Sequence, residues 1–192
     1  MVSKNISFGL KTPTDLYHKL IYDIERLRSG GHSAAISYAS MDCALDATHL
    51  ADWVLRAVDN EHHRRLTGKE ITPDNEVYLK GFNILIKDRV PTLEYCRDIA
   101  NHAKHVLLTR SEPMNIETGR SIRFDPPFNP RKEFPKDLKI TSYAYIVVEG
   151  QKCYVIDLFE DAASEWKRFL IEEGLFDHDL DDHLNFPPDP DG

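Results

Sequence analysis

Residues 96–108, CRDIANHAKHVLL, crowd Arg97, Asp98, Asn101, His102, Lys104 and His105 into a stretch whose apolar spacing predicts a helix. An arginine can hold a phosphate and stabilise the extra negative charge of a phosphoryl-transfer transition state. A histidine can move a proton to or from a 2′-hydroxyl or a leaving oxygen. Arg97 with His102 or His105 supplies both roles within about two helical turns. Metal-independent RNA cleavage is therefore one chemistry open to this stretch. A buried polar network and a plain solvent-facing helix side are the others.

Two further chemistries find less support. His49 with Asp52, and His102 with His105, are i,i+3 pairs, and His62-His63 are adjacent. Such spacings can place two ligands on one ion. No HExxH or comparable signature accompanies them, and the 9 histidines of the chain produce such pairs by chance, so no metal and no other cofactor is expected. Cys43 and Cys96 fall on apolar stripes, where a thiol behaves as a small buried hydrophobe. With neither a GxSxG elbow nor a glycine-rich phosphate loop, covalent catalysis and nucleotide hydrolysis are discounted.

The elements that must position these residues are mostly helices. TPTDLYHKLIYDIERLRSGG starts with Thr12 as N-cap, Pro13 in the first turn and Asp15 at the positive end of the dipole, and Gly30-Gly31 stop it. Leu16, Leu20, Ile21, Ile24 and Leu27 form its apolar stripe. A long, alanine-rich second helix is expected over 33–58. NEHHRRLTGKE reads as a polar connection, and a third helix restarts at Thr72-Pro73. The fourth enters through Pro91 and carries Arg97. From 111 to 135 prolines predominate, which predicts mostly loop with a short strand at SIRF. KITSYAYIVVEGQKCYVIDLF reads as a β-hairpin over about 138–159, turning at Gly150. A final amphipathic helix follows at about 160–174. The fold class expected is mainly α: a four-helix bundle with a β-hairpin and a C-terminal helix packed on it. It forms one domain over 1–176, with an acidic, proline-rich tail over 177–192.

Helical geometry sorts the polar residues into faces. Asp42, Asp46, Asp52, Trp53 and Arg56 fall within about 60° of His49 on the second helix. On the fourth, Glu94, Asn101, Lys104 and His105 fall within about 80° of Arg97, while His102 lies about 140° away. If the acidic and basic stripes face each other they form a polar cleft of opposed charges in which pKa values shift; otherwise each stripe faces water. Trp53 stands out within its stripe, since a tryptophan usually has something to cover.

The chain has 192 residues, 41% of them apolar and 29% charged, with a net charge of -8. That length can bury a real core. That charge argues against broad, non-specific binding to nucleic acid or an anionic membrane, though not against a local basic cleft. Three scattered cysteines, an N-terminal stretch MVSKNISFGLKTPTD without an apolar core of signal-peptide length, and no apolar run near the roughly 20 residues of a membrane span predict a cytoplasmic protein.

RDIANH, Arg97 to His102, resembles the arginine, four-to-six residues, histidine motif of the HEPN superfamily, with the polar Asp98 after the arginine. The resemblance implies a small all-α bundle, often a homodimer, acting as a metal-independent ribonuclease in toxin–antitoxin, abortive-infection or other defence systems. It implies that Arg97 and His102 are the catalytic pair, oriented by Asp98, with an RNA substrate and an antitoxin or other protein partner. Asn101, Lys104 and His105 would line the cleft, and Asp46, His49, Asp52 and Trp53 would complete it. The competing class is a non-catalytic interaction or structural module, in which Arg97, Lys104, Asp46 and Asp52 form an ion-pair network that sets helix register.

Overall fold

A computed structural model describes residues 9–71, 79–104, 116–125, 136–137 and 139–181. In chain order the elements are α1 (Pro13–Arg28), α2 (Ser33–Ala57), α3 (Asn60–Thr67), α4 (Leu79–Ile86), α5 (Leu93–Lys104), β1 (Ile116–Asp125), β2 (Lys139–Val148), β3 (Gln151–Tyr154), α6 (Val155–Glu172) and α7 (His178–Asp181). The protein is mainly helical, with a small antiparallel sheet in the order β1-β2-β3. Among the described residues no helix is long and apolar enough to cross a membrane.

Local chemistry accounts for the helix ends. Thr12 and Asp15 form a capping box: the Asp15 amide donates to Thr12 Oγ1 at 3.1 Å, and the Thr12 amide donates to Asp15 Oδ2 at 2.8 Å. α2 is the centre of the helical layer and touches α1, α5 and α6. Its small residues Ala39, Cys43, Ala44, Ala47 and Ala51 are all buried, so its neighbours approach closely. The indole of fully buried Trp166 on α6 donates to the Ala47 carbonyl at 3.1 Å, which ties the two helices while satisfying the one polar atom of that side chain.

The sheet lies against the helices by one face. Register puts Ala144, Ile146 and Val148 on the same side of β2; Ile146 is fully buried, and the other two pack on the core. β2 and β3 are joined by Glu149 and Gly150, both with positive φ (50° and 78°), the two-residue hairpin turn expected around Gly150.

Four expectations change. NEHHRRLTGKE is not a plain connection: Asn60–Thr67 is the helix α3, capped by the Asp59 carboxylate on the His62 amide at 2.8 Å and closed by Gly68 at φ 77°. Leu66 and His63, both buried, anchor it. The stretch 111–135 contains a strand of ten residues where only SIRF was expected, because pairing with β2 along Ile116–Asp125 satisfies its backbone. The second hairpin strand ends at Tyr154, and α6 starts at Val155. The apolar run VIDLF looks like strand by composition, but Val155, Leu158, Phe159, Ala162, Ala163 and Trp166 are buried at helical spacing. Finally, α7 occupies 178–181 at the start of the expected tail. The rest of the tail, the start of the third predicted helix at Thr72, and His105 lie outside the described residues.

Candidate functional site

α5 is set in place from both sides. Glu165 of α6 accepts from the amide and hydroxyl of Thr92, immediately before the helix. Leu93, Cys96 and Ala100 are buried at three- and four-residue steps. Burial pushes the Cys96 thiol up to about 12 and the Cys43 thiol up as well, so both are inert hydrophobic contents of the core.

The polar side of α5 then splits. Arg97 is half-buried against α4, where its Nη2 donates to Asn83 Oδ1 at 2.6 Å. It forms no ion pair among the described residues; Glu94, one turn earlier, is paired with Lys87 at 3.3 Å. Burial holds the Arg97 pKa below its ordinary value against the pull of nearby Glu94 and Asp98. A partly desolvated cation facing a neutral amide is an unusual use of a guanidinium, because losing water is costly unless an anion replaces it.

Asp98, the next residue and so turned about 100° away, lines a cleft of about 480 Å³ between α2, α5 and the sheet. Ser37, Ser40 and Met41 of α2, Ile99 of α5 and Thr118 and Arg120 of β1 form much of the wall. Arg120 also donates to the Ser33 hydroxyl. His102 stands one turn beyond Asp98 in α5, and Asn101, which is exposed, one turn beyond Arg97. The side chains of His102 and Lys104 lie outside the described residues.

The acidic stripe of α2 is answered by α1 and not by the basic side of α5. Lys19 Nζ donates to both Asp46 oxygens at 2.9 and 2.7 Å and to Asp23 at 2.8 Å. Arg26 donates to Asp23 and to Asp42, the latter at 3.1 Å. Asp23 and Asp46 are buried, and burial pushes both carboxyls up. At Asp23, hydrogen bonds from Lys19, Arg26 and Asp46 outweigh it and hold the group below its ordinary value. At Asp46 burial prevails, reinforced by Asp23, and carries it to about 7 in spite of Lys19. Two carboxylates this close do not ionise equally, and of the pair Asp46 is the one more readily protonated.

The remaining α2 candidates scatter. His49 is exposed, Asp52 accepts from Arg56 at 2.7 Å on its own helix, and Trp53 is partly buried against the core. Neither Asp46, His49, Asp52 nor Trp53 lines the cleft beside Asp98. His62 and His63 also diverge: His62 meets Glu173 at 2.7 Å, and buried His63 meets the Lys69 carbonyl at 2.8 Å. No group of three potential metal ligands occurs among the described residues.

Asn83, Arg120 and the α2 serines were not legible as site residues, since Asn83 sits in an apolar helix and Arg120 in a stretch read as loop. A second charged centre also emerges: Glu173, almost fully enclosed, accepts from Arg65, from Arg89 at 2.5 Å and from His62. Neither family models, curated proteins nor solved structures match this chain.

Proposed function

We propose that this protein is a metal-independent endoribonuclease of the HEPN type, working as a homodimer in a toxin–antitoxin or defence system. Arg97 binds the scissile phosphate, His102 carries out proton transfer, and Asp98 positions the pair. The observation that carries this reading is the half-buried Arg97 guanidinium, which has only Asn83 as partner and no counter-ion among the described residues. A phosphate supplies the missing anion through charge-assisted hydrogen bonds to the donors that Asn83 leaves open. The cleft beside Asp98, the residue after Arg97, gives a substrate room next to α5. Taken as a four-helix bundle of α1, α2, α5 and α6, the scaffold agrees with the resemblance carried by RDIANH.

Incubation with single-stranded RNA in excess chelator tests the assignment. Cleavage by the wild type, with losses of at least about 100-fold in Arg97→Ala and His102→Ala, supports it. Absence of cleavage by the wild type, or full activity in either variant, rejects it. Light scattering tests the homodimer.

The structural alternative has its own support in the charge clusters that join helices, Lys19 with Asp23 and Asp46, and Glu173 with its three partners. Its membership differs from the expected network, because Asp46 belongs to Lys19 and Asp52 to Arg56. On that reading Arg97 has no anion to hold, and the protein shows neither cleavage nor phosphate affinity.

A further inference from the structure

The face of the sheet turned away from the core gathers tyrosines and cations. By register, Tyr143 and Tyr145 of β2 and Tyr154 of β3 stand on it together. The Tyr143 and Tyr154 rings are 5.8 Å apart, and the Lys152 ammonium lies 3.8 Å from the Tyr145 ring and 5.4 Å from the Tyr154 ring. Gly119 sits beneath Tyr145: a β-carbon there would run into the ring, so the missing side chain is what lets the tyrosine lie down across β1. These tyrosines are not part of the apolar core, and Tyr154 is 43% exposed.

Three cations share the face: Arg123, Lys139 and Lys152. None forms an ion pair among the described residues, whereas Arg26, Arg28, Arg56, Arg65 and Arg89 all hold carboxylates. Glu117 and Asp125 lie at the two ends of β1 on this face and leave the middle to the tyrosines and Arg123. Beside them a hollow of about 750 Å³ is lined by Arg123, Phe124, Tyr143, Tyr154, Ile156 and Asp157. Flat rings with cations between them suit a polymer that alternates flat bases with phosphates. Two of the three cations are lysines, which protein interfaces tend to exclude and phosphate backbones attract.

We propose that this face is a platform on which single-stranded RNA stacks its bases, with Arg123, Lys139 and Lys152 on the phosphates. The choice of RNA rests on the ribonuclease reading of Arg97. The platform also makes sense of where the cleft lies. β1 is an edge strand, and its alternate residues Thr118 and Arg120 line the cleft beside Asp98. RNA stacked on the outer face needs only to pass over that edge to enter it.

The test is binding of a fluorescent single-stranded oligoribonucleotide to the full chain, followed by anisotropy. Each of Tyr143→Leu and Tyr154→Leu should weaken binding about tenfold, while Tyr→Phe at either position retains it. Three phosphate contacts predict a slope of about -2 in log affinity against log salt. The same sequence as a duplex should bind at least about tenfold more weakly, since its bases are not free to stack. Photo-cross-linking of the wild type, which needs no variant to fold, should label Tyr143 or Tyr154. Equal affinity in the leucine variants, equal affinity for duplex, or labels elsewhere would overturn the proposal. So would retention of a protein by this face with no affinity for RNA. The two readings separate cleanly. If only the platform is right, RNA binds without chelator-resistant cleavage and Arg97→Ala binds normally. If only the Arg97 site is right, cleavage continues at unchanged KM in the leucine variants.

Discussion

Arg89 and Arg97 are both half-buried, one just before α5 and one on it, and both face a neighbouring helix. Arg89 donates to Glu173 at 2.5 Å and Glu172 at 2.7 Å, and its guanidinium lies 4.2 Å from the Phe169 ring. Burial pulls its pKa down, yet the two glutamates more than offset that and raise it. Arg97 is the more enclosed of the two, has an amide for a partner, and its pKa falls. Burial opposes the charge at both sites, more strongly at Arg97, and only Arg89 has carboxylates that offset it. A cation whose desolvation is compensated within the fold is a structural tie, and one whose desolvation is left open is available to a ligand.

The contrast is most strongly tested at Glu173. Its side chain is 4% exposed, and Glu173→Ala removes the acceptor shared by Arg65, Arg89 and His62, leaving Arg89 with Glu172 alone, so a loss of about 3 kcal/mol in urea denaturation is expected. Burial pushes this carboxyl up, but hydrogen bonds from Arg65, Arg89 and His62 prevail and hold it at about 2, below the usual 4.5. A depressed carboxyl stabilises the fold above its unfolded value, so that contribution is lost as pH falls from about 4.5 toward 2. A wild-type acid transition that the Glu173→Ala protein shares unchanged would show that the cluster is not a tie.

Arg89→Met should cost about 2 kcal/mol, since it leaves Glu173 short of one of its charged donors and removes the guanidinium from Phe169. Thermal melts of this variant beside Arg97→Met give the direct comparison. Equal losses in both would erase the distinction drawn here.

Asp46 offers an opposite pH signature within the same protein. Its raised pKa, about 7 against an ordinary 3.8, means the folded state holds a proton that the unfolded chain releases. Stability therefore declines as pH rises from about 4 to about 7. Asp46→Asn should flatten that slope in a pH series of unfolding midpoints. An unchanged slope in the variant would place the titration elsewhere.

The smallest effect on stability belongs to Arg97→Met, expected within about 0.5 kcal/mol of the wild type because Arg97 holds no carboxylate among the described residues. The same substitution should remove phosphate binding, read as the loss of any phosphate-dependent rise in Tm. A large destabilisation would reassign Arg97 to structure.

Much of the helical frame was legible. Thr12, Pro13 and Asp15 announce the start of α1, and the period of Leu16, Leu20, Ile24 and Leu27 announces its buried side. Such signals are local: a cap or stripe lies within a few residues of what it specifies. The misreadings arose where the deciding partner was distant. α3 was hidden because its polar composition outweighed the Asp59 and Gly68 caps at its ends. β1 was hidden because a strand is recognised through its partner, here 14 to 32 residues on. VIDLF favoured strand by composition until the burial of Trp166 and Phe169 carried the helix back to Val155. Asp46 looked available to Arg97, and Lys19 had already taken it.

By itself the sequence determined which residues carry charge and which side of each helix is apolar, because spacing at 3.6 residues per turn settles both within one element. It also placed an arginine, an aspartate and two histidines within three turns of a helix. Only the tertiary structure decided which charges are spent on one another. Ion pairing requires oxygen and nitrogen atoms within a few ångströms, and residues as far apart in sequence as Arg89 and Glu173 meet through the packing of whole helices. That packing occupied Lys19, Arg26 and Arg89, and left Arg97 with an amide.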